Sequence, residues 1–415
     1  MTNLSVWWDG RIAGTLTRNE HGDMGFVYHP DWLADPVTRA ISAALPKRTE
    51  PYDRRAARYF FAGLLPEEGP RDAVARALGL SRTNDFALLE ALGGDVAGAL
   101  TLWPEGEKPP VALLGQAPEF LSDSALIEIL DNLPARPLLA GRAGIRLSLA
   151  GAQAKLPVVV IDGRIGLPAP GQPTTHIVKP AMARFPATVE NEALFMRLAL
   201  ALGLLVAPVE ARGLDQRKFL LVERYDREIG PVGDRLRVHQ EDFCQALGHA
   251  PEHKYAAEGG PTLKTSFALL RKVSTRPAAD VLAMLDAVIF NVIIGNCDAH
   301  GKNFSLLYRA GETRLAPLYD LMSTVAYPQV SSRMAMKIAS ASSFEEITVD
   351  TWAAFAKDVG LGAPFVRTRV QELSRLTLDL IGEVADELSS PELSGDAIRD
   401  FAETIKQRAL RMDKL

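Results

Sequence analysis

The chain has 415 residues, 47% of them apolar, and its 46 Lys and Arg against 51 Asp and Glu leave a formal net charge of −5. That balance excludes a disordered chain, and the length suffices for two or three domains with full cores. Two cysteines, Cys244 and Cys297, exclude a disulfide scaffold and a four-cysteine zinc site and fit a reduced, cytoplasmic setting. The mild acidity carries no bulk signal for nucleic acid or an anionic membrane. The start, Met1–Asp9, has no basic stretch leading into an apolar one, so no targeting segment is expected. Ala193–Val209 is apolar but interrupted by Arg197, Gly203 and Pro208, so it reads as a buried helix and a short strand, with no role for a membrane.

In chain order, Ser5–Trp8 and Arg11–Leu16 flank Asp9-Gly10 and predict a hairpin with a type I′ turn. Phe26–Tyr28 continues the β character, and Arg71–Leu78 predicts a helix stopped by Gly79. Residues 39–58 are locally basic, with Arg39, Lys47, Arg48, Arg54, Arg55 and Arg58, a pattern of a solvated face or of an anion or partner patch. Prolines and glycines crowd 104–118, so a connector is expected over 106–140, after an N-terminal domain at 1–105. Beyond it, Leu156–Ile161 and Arg164–Leu167 flank Asp162-Gly163, a second hairpin. His176–Lys179 is a strand stopped by Pro180, Thr188–Leu202 a helix stopped by Gly203, and Phe219–Glu223 a strand. After residue 240 the chain reads as almost wholly helical, with short β pieces near Phe304–Tyr308 and Met334–Ile338. The expected class is α+β: a β-containing N-terminal domain, then a two-lobed kinase-like domain with a β-rich lobe at 141–230 and a helical lobe at 231–415.

The strongest local signal is Gly295-Asn-Cys-Asp298-Ala-His300-Gly-Lys302-Asn303, after the apolar helix Val281–Ile294. Asp298 and Asn303 have the Asp-x4-Asn spacing of a kinase catalytic loop. Such an Asp accepts the proton of an attacking hydroxyl while the Asn reaches a Mg²⁺ on the phosphates. Lys302 and His300 add donors for phosphate oxygens. A polar helix end capped by Gly and Asn would read the same way. Asp320 follows at the end of the strand-like Leu315–Tyr319, where a second metal ligand of a kinase stands; an ordinary N-cap is the alternative.

Upstream, Lys179 ends a strand in the manner of the kinase lysine that binds the α/β-phosphates. The next helix opens with Glu190 and Glu192, either of which could orient that lysine, or simply favour a helix N-terminus. Ser148-Leu-Ala-Gly151-Ala-Gln153-Ala-Lys155 is a candidate phosphate cover, because small residues let backbone N–H groups approach a phosphate; composition alone favours an ordinary small-residue turn. No Walker A loop, no Gly-x-Ser-x-Gly and no distant partner for a zinc site at Cys297 is present.

Taken together, Ser148–Gln153, Thr175–Lys179, Asn191-Glu192, Val222–Asp226, Gln240–Asp242, Gly295–Asn303 and Tyr319-Asp320 resemble the HipA family, the serine/threonine-kinase toxins of type II toxin–antitoxin systems. Phe60–Glu67, Leu92–Asp95 and Ala97–Ala99 resemble that family's N-terminal domain. The resemblance implies that Asp298 is the proton acceptor, with Lys302 beside it, and that Asn303 and Asp320 hold Mg²⁺. It implies an ATP site of Ala150, Gly151, Ala152, Gln153, Ala154, Lys155, Lys179, Glu192, Glu223, Arg224, Tyr225, Gln240, His300, Asn303, Tyr319 and Asp320, with Glu223–Tyr225 as the adenine-reading hinge. Ser148 matches a serine whose autophosphorylation silences the kinase. The implied partner is a HipB-like helix-turn-helix antitoxin dimer that carries operator DNA, and the implied substrate is an aminoacyl-tRNA synthetase. Ser340–Glu346 is acidic to neutral and offers no obvious basic patch, so operator binding is assigned to the partner and direct DNA contact by this chain is left open.

Two other readings compete. A small-molecule kinase of the aminoglycoside or choline type uses a similar Asp-x4-Asn loop but has no place for the N-terminal β-hairpin domain. A non-catalytic co-repressor has no need for Lys179, Asp298, Asn303 and Asp320 together.

Overall fold

A computed structural model describes residues 3–113 and 115–415. The chain divides into two compact units: Met1–Pro180 with Glu223–Glu252 and Leu307–Arg309, and Ala181–Val222 with His253–Leu306 and Ala310–Leu415.

The first unit begins with the expected hairpin, Asn3–Trp8 and Arg11–Arg18. Its turn takes positive φ at both central residues, Asp9 (48°) and Gly10 (72°), as a type I′ turn requires. Met24–Tyr28 and Leu100–Pro104 complete a four-stranded antiparallel sheet. Alternation buries Leu4, Val6, Leu16 and Phe26 on one face. The helix Arg54–Phe61 covers that face, with the Phe26 and Phe61 rings 5.3 Å apart. Each fully buried phenylalanine contributes about 2–3 kcal/mol of transfer free energy. The basic stretch is largely spent internally: Arg58 pairs with Asp85 (2.7 Å) and Glu252, Arg54 with Asp23 (3.0 Å), and Arg48 lies over Tyr52.

The connector contains a helix that the prolines hid, Asp123–Asn132, capped by Ser122 and burying Leu126, Ile129 and Leu130. After it, Leu156–Ile161, Arg164–Leu167 and His176–Pro180 form an antiparallel sheet, with Asp162 and Gly163 again at positive φ. Short strands at Arg227–Ile229, Arg235–Arg237 and His239–Asp242 escape the sequence reading because each is only three or four residues long.

In the second unit Thr188–Ala201 is the expected helix, and Val209–Leu214 pairs with Arg217–Glu223. Among the described residues one helix, Pro277–Ile294, is long and apolar enough to cross a membrane, with mean hydropathy 1.9; 67% of it is buried inside the protein, as in a core helix. The helices Ala363–Leu388 and Gly395–Asp413 pack on it and on each other.

The expectation of an almost wholly helical second half needs correction. Residues 316–348 hold only two single-turn 3₁₀ segments, Thr324–Ala326 and Phe344–Glu346. Leu315–Tyr319 is not a strand: the strand is Glu312–Leu315, and Pro317, which lacks an N–H, follows it. Met334–Ile338 is not a strand either; one bridge joins Ile338 to Ala341 around a turn with Ala339 at φ 51°.

Candidate active site

The loop after Pro277–Ile294 is built by hydrogen bonds at every step. Gly295 takes φ 69° and closes the helix, its N–H donating to the carbonyls of Asn291 and Val292. Asn296 Nδ2 donates to Asn291 Oδ1 (2.8 Å), and Asn296 Oδ1 accepts the Asp298 N–H (3.1 Å). Cys297 N–H is held by Thr324 Oγ1 (2.7 Å). Burial pushes the Cys297 thiol up, so it is no activated nucleophile. His300 and Asn303 then form a reciprocal cap: Lys302 N–H donates to His300 Nδ1 (3.3 Å) and His300 N–H to Asn303 Oδ1 (3.1 Å).

The loop thus orders Asp298, His300, Lys302 and Asn303 within one turn. Asp298 is exposed, and Tyr255 donates its hydroxyl to Asp298 Oδ1 at 2.9 Å. His300, Lys302 and Asn303 are buried. Asn303 Nδ2 donates to Asp320 Oδ2 (3.0 Å), so the two expected metal ligands are neighbours. Asp320 sits at φ 60°, in the left-handed region. Tyr319 donates to the Lys302 carbonyl (2.7 Å) and bonds Ser305 Oγ (2.8 Å), fixing the segment before Asp320 against the loop.

The helix Thr188–Ala201 adds a tie that sequence reasoning did not assign. Asn191 is fully buried; its Nδ2 donates to the Ser323 carbonyl (3.0 Å) and Tyr327 Oη (3.1 Å), and its Oδ1 accepts the Ser323 N–H (2.8 Å). It therefore anchors the chain just after Asp320. Its only sequence signal is its place inside the helix-opening motif. Of the two candidate glutamates, Glu190 is taken by Lys218 and by the Ser394 N–H (2.9 Å). Glu192 is buried beside it on the same helix.

The first unit holds the other expected residues. Lys179 is buried at the end of its strand. The segment 148–155 is folded against the N-terminal domain: Gly151 bridges Pro66, its carbonyl accepts the Glu67 N–H (3.1 Å), and Ser148 Oγ donates to the Leu64 carbonyl (2.7 Å) with Ser148 fully buried. Gly151 has φ 115°, a backbone conformation that side-chain-bearing residues rarely adopt, which favours glycine there. Lys155 Nζ donates to the Ala150 carbonyl (2.6 Å) and Gln153 Nε2 to the Pro180 carbonyl (3.0 Å). Ala152 and Ala154 complete the loop between them.

Around Glu223–Tyr225 the side chains point to structure. Arg224 is buried and bidentate to Asp226 (2.9 and 2.8 Å), and its N–H is bonded to the Thr175 carbonyl (2.9 Å). Tyr225 donates to Gln240, whose Nε2 donates to Asp226 Oδ2 (2.9 Å). Asp95 meets Arg227 (2.9 Å), Arg237 (2.9 Å), Arg224 (3.3 Å) and Thr174 Oγ1 (2.7 Å). Burial alone would raise the Asp95 and Asp226 carboxyls, but the guanidinia hold both well below the usual carboxylate range. Among the described residues no group of three or more His, Cys, Asp or Glu forms a metal cluster. An Asn–Asp pair of oxygen donors is what a hard divalent cation with phosphate ligands needs.

Comparison with known proteins shows the family of the chain. Residues 4–103 match the HipA N-terminal domain and residues 147–381 the HipA-like C-terminal domain. A Sinorhizobium fredii protein named "Putative kinase Y4mE" is 56% identical over 408 residues, 98% of this chain and 97% of that one. The serine/threonine-protein kinase toxin HipA of Shewanella oneidensis is 32% identical over 349 residues, 81% of this chain and 78% of that one. A solved complex of S. oneidensis HipA with HipB and operator DNA gives a TM-score of 0.85 at 28% identity, covering 99% of this chain and 96% of that one. With its β-containing N-terminal domain and its kinase-like domain ending in helices, the chain belongs to the HipA family of toxin kinases.

Proposed function

We propose that this protein is an ATP- and Mg²⁺-dependent serine/threonine protein kinase and the toxin of a toxin–antitoxin pair. The observation that carries the reading is the 3.0 Å bond between Asn303 and Asp320, in a loop that presents an exposed Asp298. Asn303 and Asp320 would hold Mg²⁺, which when bound neutralises charge on the transferring phosphoryl group. Asp298 accepts the proton of the attacking hydroxyl. Lys179, Lys302 and His300 donate to phosphate oxygens, and 150–155 covers them. Glu223–Tyr225 reads the adenine through backbone groups, with Gln240 supporting Tyr225. Glu190 is held by Lys218, which leaves Glu192 for the role of the helix-borne carboxylate.

The substrate class we assign is an aminoacyl-tRNA synthetase, with translation block and growth arrest as the outcome. A HipB-like antitoxin neutralises the kinase and carries the operator DNA; the S. oneidensis HipA was solved with both. A chain of net charge −5 gains from such a division of labour. Autophosphorylation of Ser148 is the self-silencing step. The test is phosphoproteomics after brief induction of the wild-type chain and of Asp298→Ala. A synthetase phosphopeptide present only with the wild type is expected; equal growth arrest by both proteins would overturn the reading.

A further inference from the structure

Tyr255 bonds one of the two carboxylate oxygens of Asp298, the group that would take the proton of a substrate hydroxyl. Its phenol donates to Asp298 Oδ1 at 2.9 Å. The residue is held in that place from both sides of the chain. Its carbonyl accepts the N–H groups of Glu258 and Gly260 (3.0 Å each), and the next N–H, of Ala256, donates to the Ala335 carbonyl (3.0 Å). Ala335 N–H donates in turn to the Cys297 carbonyl (2.7 Å), one residue before Asp298. The preceding carbonyl, of Lys254, accepts the Gly301 N–H (3.3 Å). The Tyr255 ring stands edge-on to the His300 ring, centroids 5.3 Å apart. The backbone is thus tied to the catalytic loop on two sides, while the half-buried side chain ends on an exposed carboxylate.

We infer that Tyr255 is a specificity-determining residue, a resident hydroxyl that holds the acceptor position of Asp298 until a protein hydroxyl displaces it. The inference rests on the kinase reading. In phosphoryl transfer the acceptor oxygen bonds the γ-phosphorus, the bond from that phosphorus to the bridging oxygen of ADP breaks, and the acceptor proton passes to Asp298 and on to solvent. Water can take the acceptor's place in the same step and waste the nucleotide. A phenol already bonded to Oδ1 competes with water for that oxygen. A docked protein segment supplies enough binding free energy to turn the side chain aside; a water molecule does not.

The test uses the full chain with Mg·ATP and dephosphorylated casein as acceptor. Tyr255→Phe keeps the ring and removes the hydroxyl. It should raise acceptor-free ATP hydrolysis by about five-fold or more, and lower KM for casein about three-fold with kcat changed less than about two-fold. A drop in kcat with KM unchanged would make Tyr255 a mere orienting partner and overturn the inference, as would unchanged hydrolysis. An independent readout is ¹³Cζ tyrosine NMR of the chain without nucleotide, whose eight tyrosines are few enough to resolve. Asp298→Ala should move the one resonance that Tyr255→Phe removes; no movement also overturns the inference. A wild-type chain whose ATP turnover survives Asp298→Ala overturns the kinase reading instead, and this inference with it.

Discussion

Asn303 Nδ2 and Asp320 Oδ2 are 3.0 Å apart, though a whole hairpin separates them in the chain. Asp320 holds this position at φ 60°, a conformation that Asn tolerates as well as Asp. Asp320→Asn should therefore leave the melting temperature within about 2 °C of wild type while lowering single-turnover phosphoryl transfer by about 10²-fold or more. A variant that transfers phosphate at the wild-type rate would show that Asp320 is not a metal ligand.

Ser148 has no room for a phosphate where it stands. Its side chain is fully buried, its Oγ bonds the Leu64 carbonyl (2.7 Å) and its N–H the Asp95 carbonyl (3.0 Å). A group carrying close to two negative charges must leave that pocket. Phosphorylated Ser148, or Ser148→Glu, should expel the segment 148–155 and expose it to limited proteolysis. Ser148→Ala should cost only about 1 kcal/mol and keep the segment protected. Equal protection in all forms would refute the expulsion.

Two groups on one strand titrate in opposite senses. Burial raises the Glu241 carboxyl from its ordinary 4.5 to about 7, against hydrogen bonds from Ser42, Tyr308 and the Ala43 N–H, with Asp242 adding repulsion. Burial lowers His239 from 6.5 to about 4, against its bond to the Ile41 carbonyl and the attraction of Asp226. A raised carboxyl contributes stability that is present below 4.5 and lost as pH rises through 7. A lowered histidine contributes stability present above 6.5 and lost as pH falls through 4. Between about 4.5 and 6.5 the two slopes oppose. Glu241→Gln should uncover the histidine, so that urea midpoints rise with pH across that window more steeply than in wild type. A variant profile parallel to wild type would contradict the assignment.

Arg408 caps the helix that leads into the loop 295–303. Its Nε and Nη2 donate to the carbonyls of Ile293 (3.0 Å) and Val292 (2.7 Å), and its guanidinium lies 4.6 Å from the Phe344 ring centroid. Arg408→Ala should cost about 1–2 kcal/mol by taking the side-chain donor from the Ile293 carbonyl and leaving the Val292 carbonyl with the Gly295 N–H alone, read by chemical denaturation. Arg408→Lys should recover part of that loss. A neutral Ala variant would mean that water replaces the cap.

Where chemistry is local, the sequence was readable. Asp9-Gly10 and Asp162-Gly163 announce turns because few residue pairs accept positive φ twice in a row. The spacing of Asp298 and Asn303 announces a loop whose own side chains bond its backbone, Asn296 to the Asp298 N–H and Asn303 to the His300 N–H. What stayed hidden depends on distant partners. Nothing near Tyr255 in the chain points to Asp298, and nothing near Asn191 points to Ser323. Glu190 pairs with Lys218, a residue of a strand beyond the helix, and nothing beside Glu190 in the chain announces it. In the connector, Ser122 and the spacing of Leu126, Ile129 and Leu130 did carry a helix signal, but the surrounding prolines outweighed it.

Asp95 binds the guanidinia of Arg224, Arg227 and Arg237, all but buried and more than a hundred residues away in the chain. An engineered chimera or a natural recombinant whose first hundred residues lacked an acid at position 95 would leave Arg237 without its carboxylate and Arg224 and Arg227 with Asp226 alone. Stranding a buried charge in this way costs about 3–5 kcal/mol, a large part of what holds a domain folded. Matching the acid of one stretch to the arginines of the other should therefore serve as a compatibility check before any such graft is built.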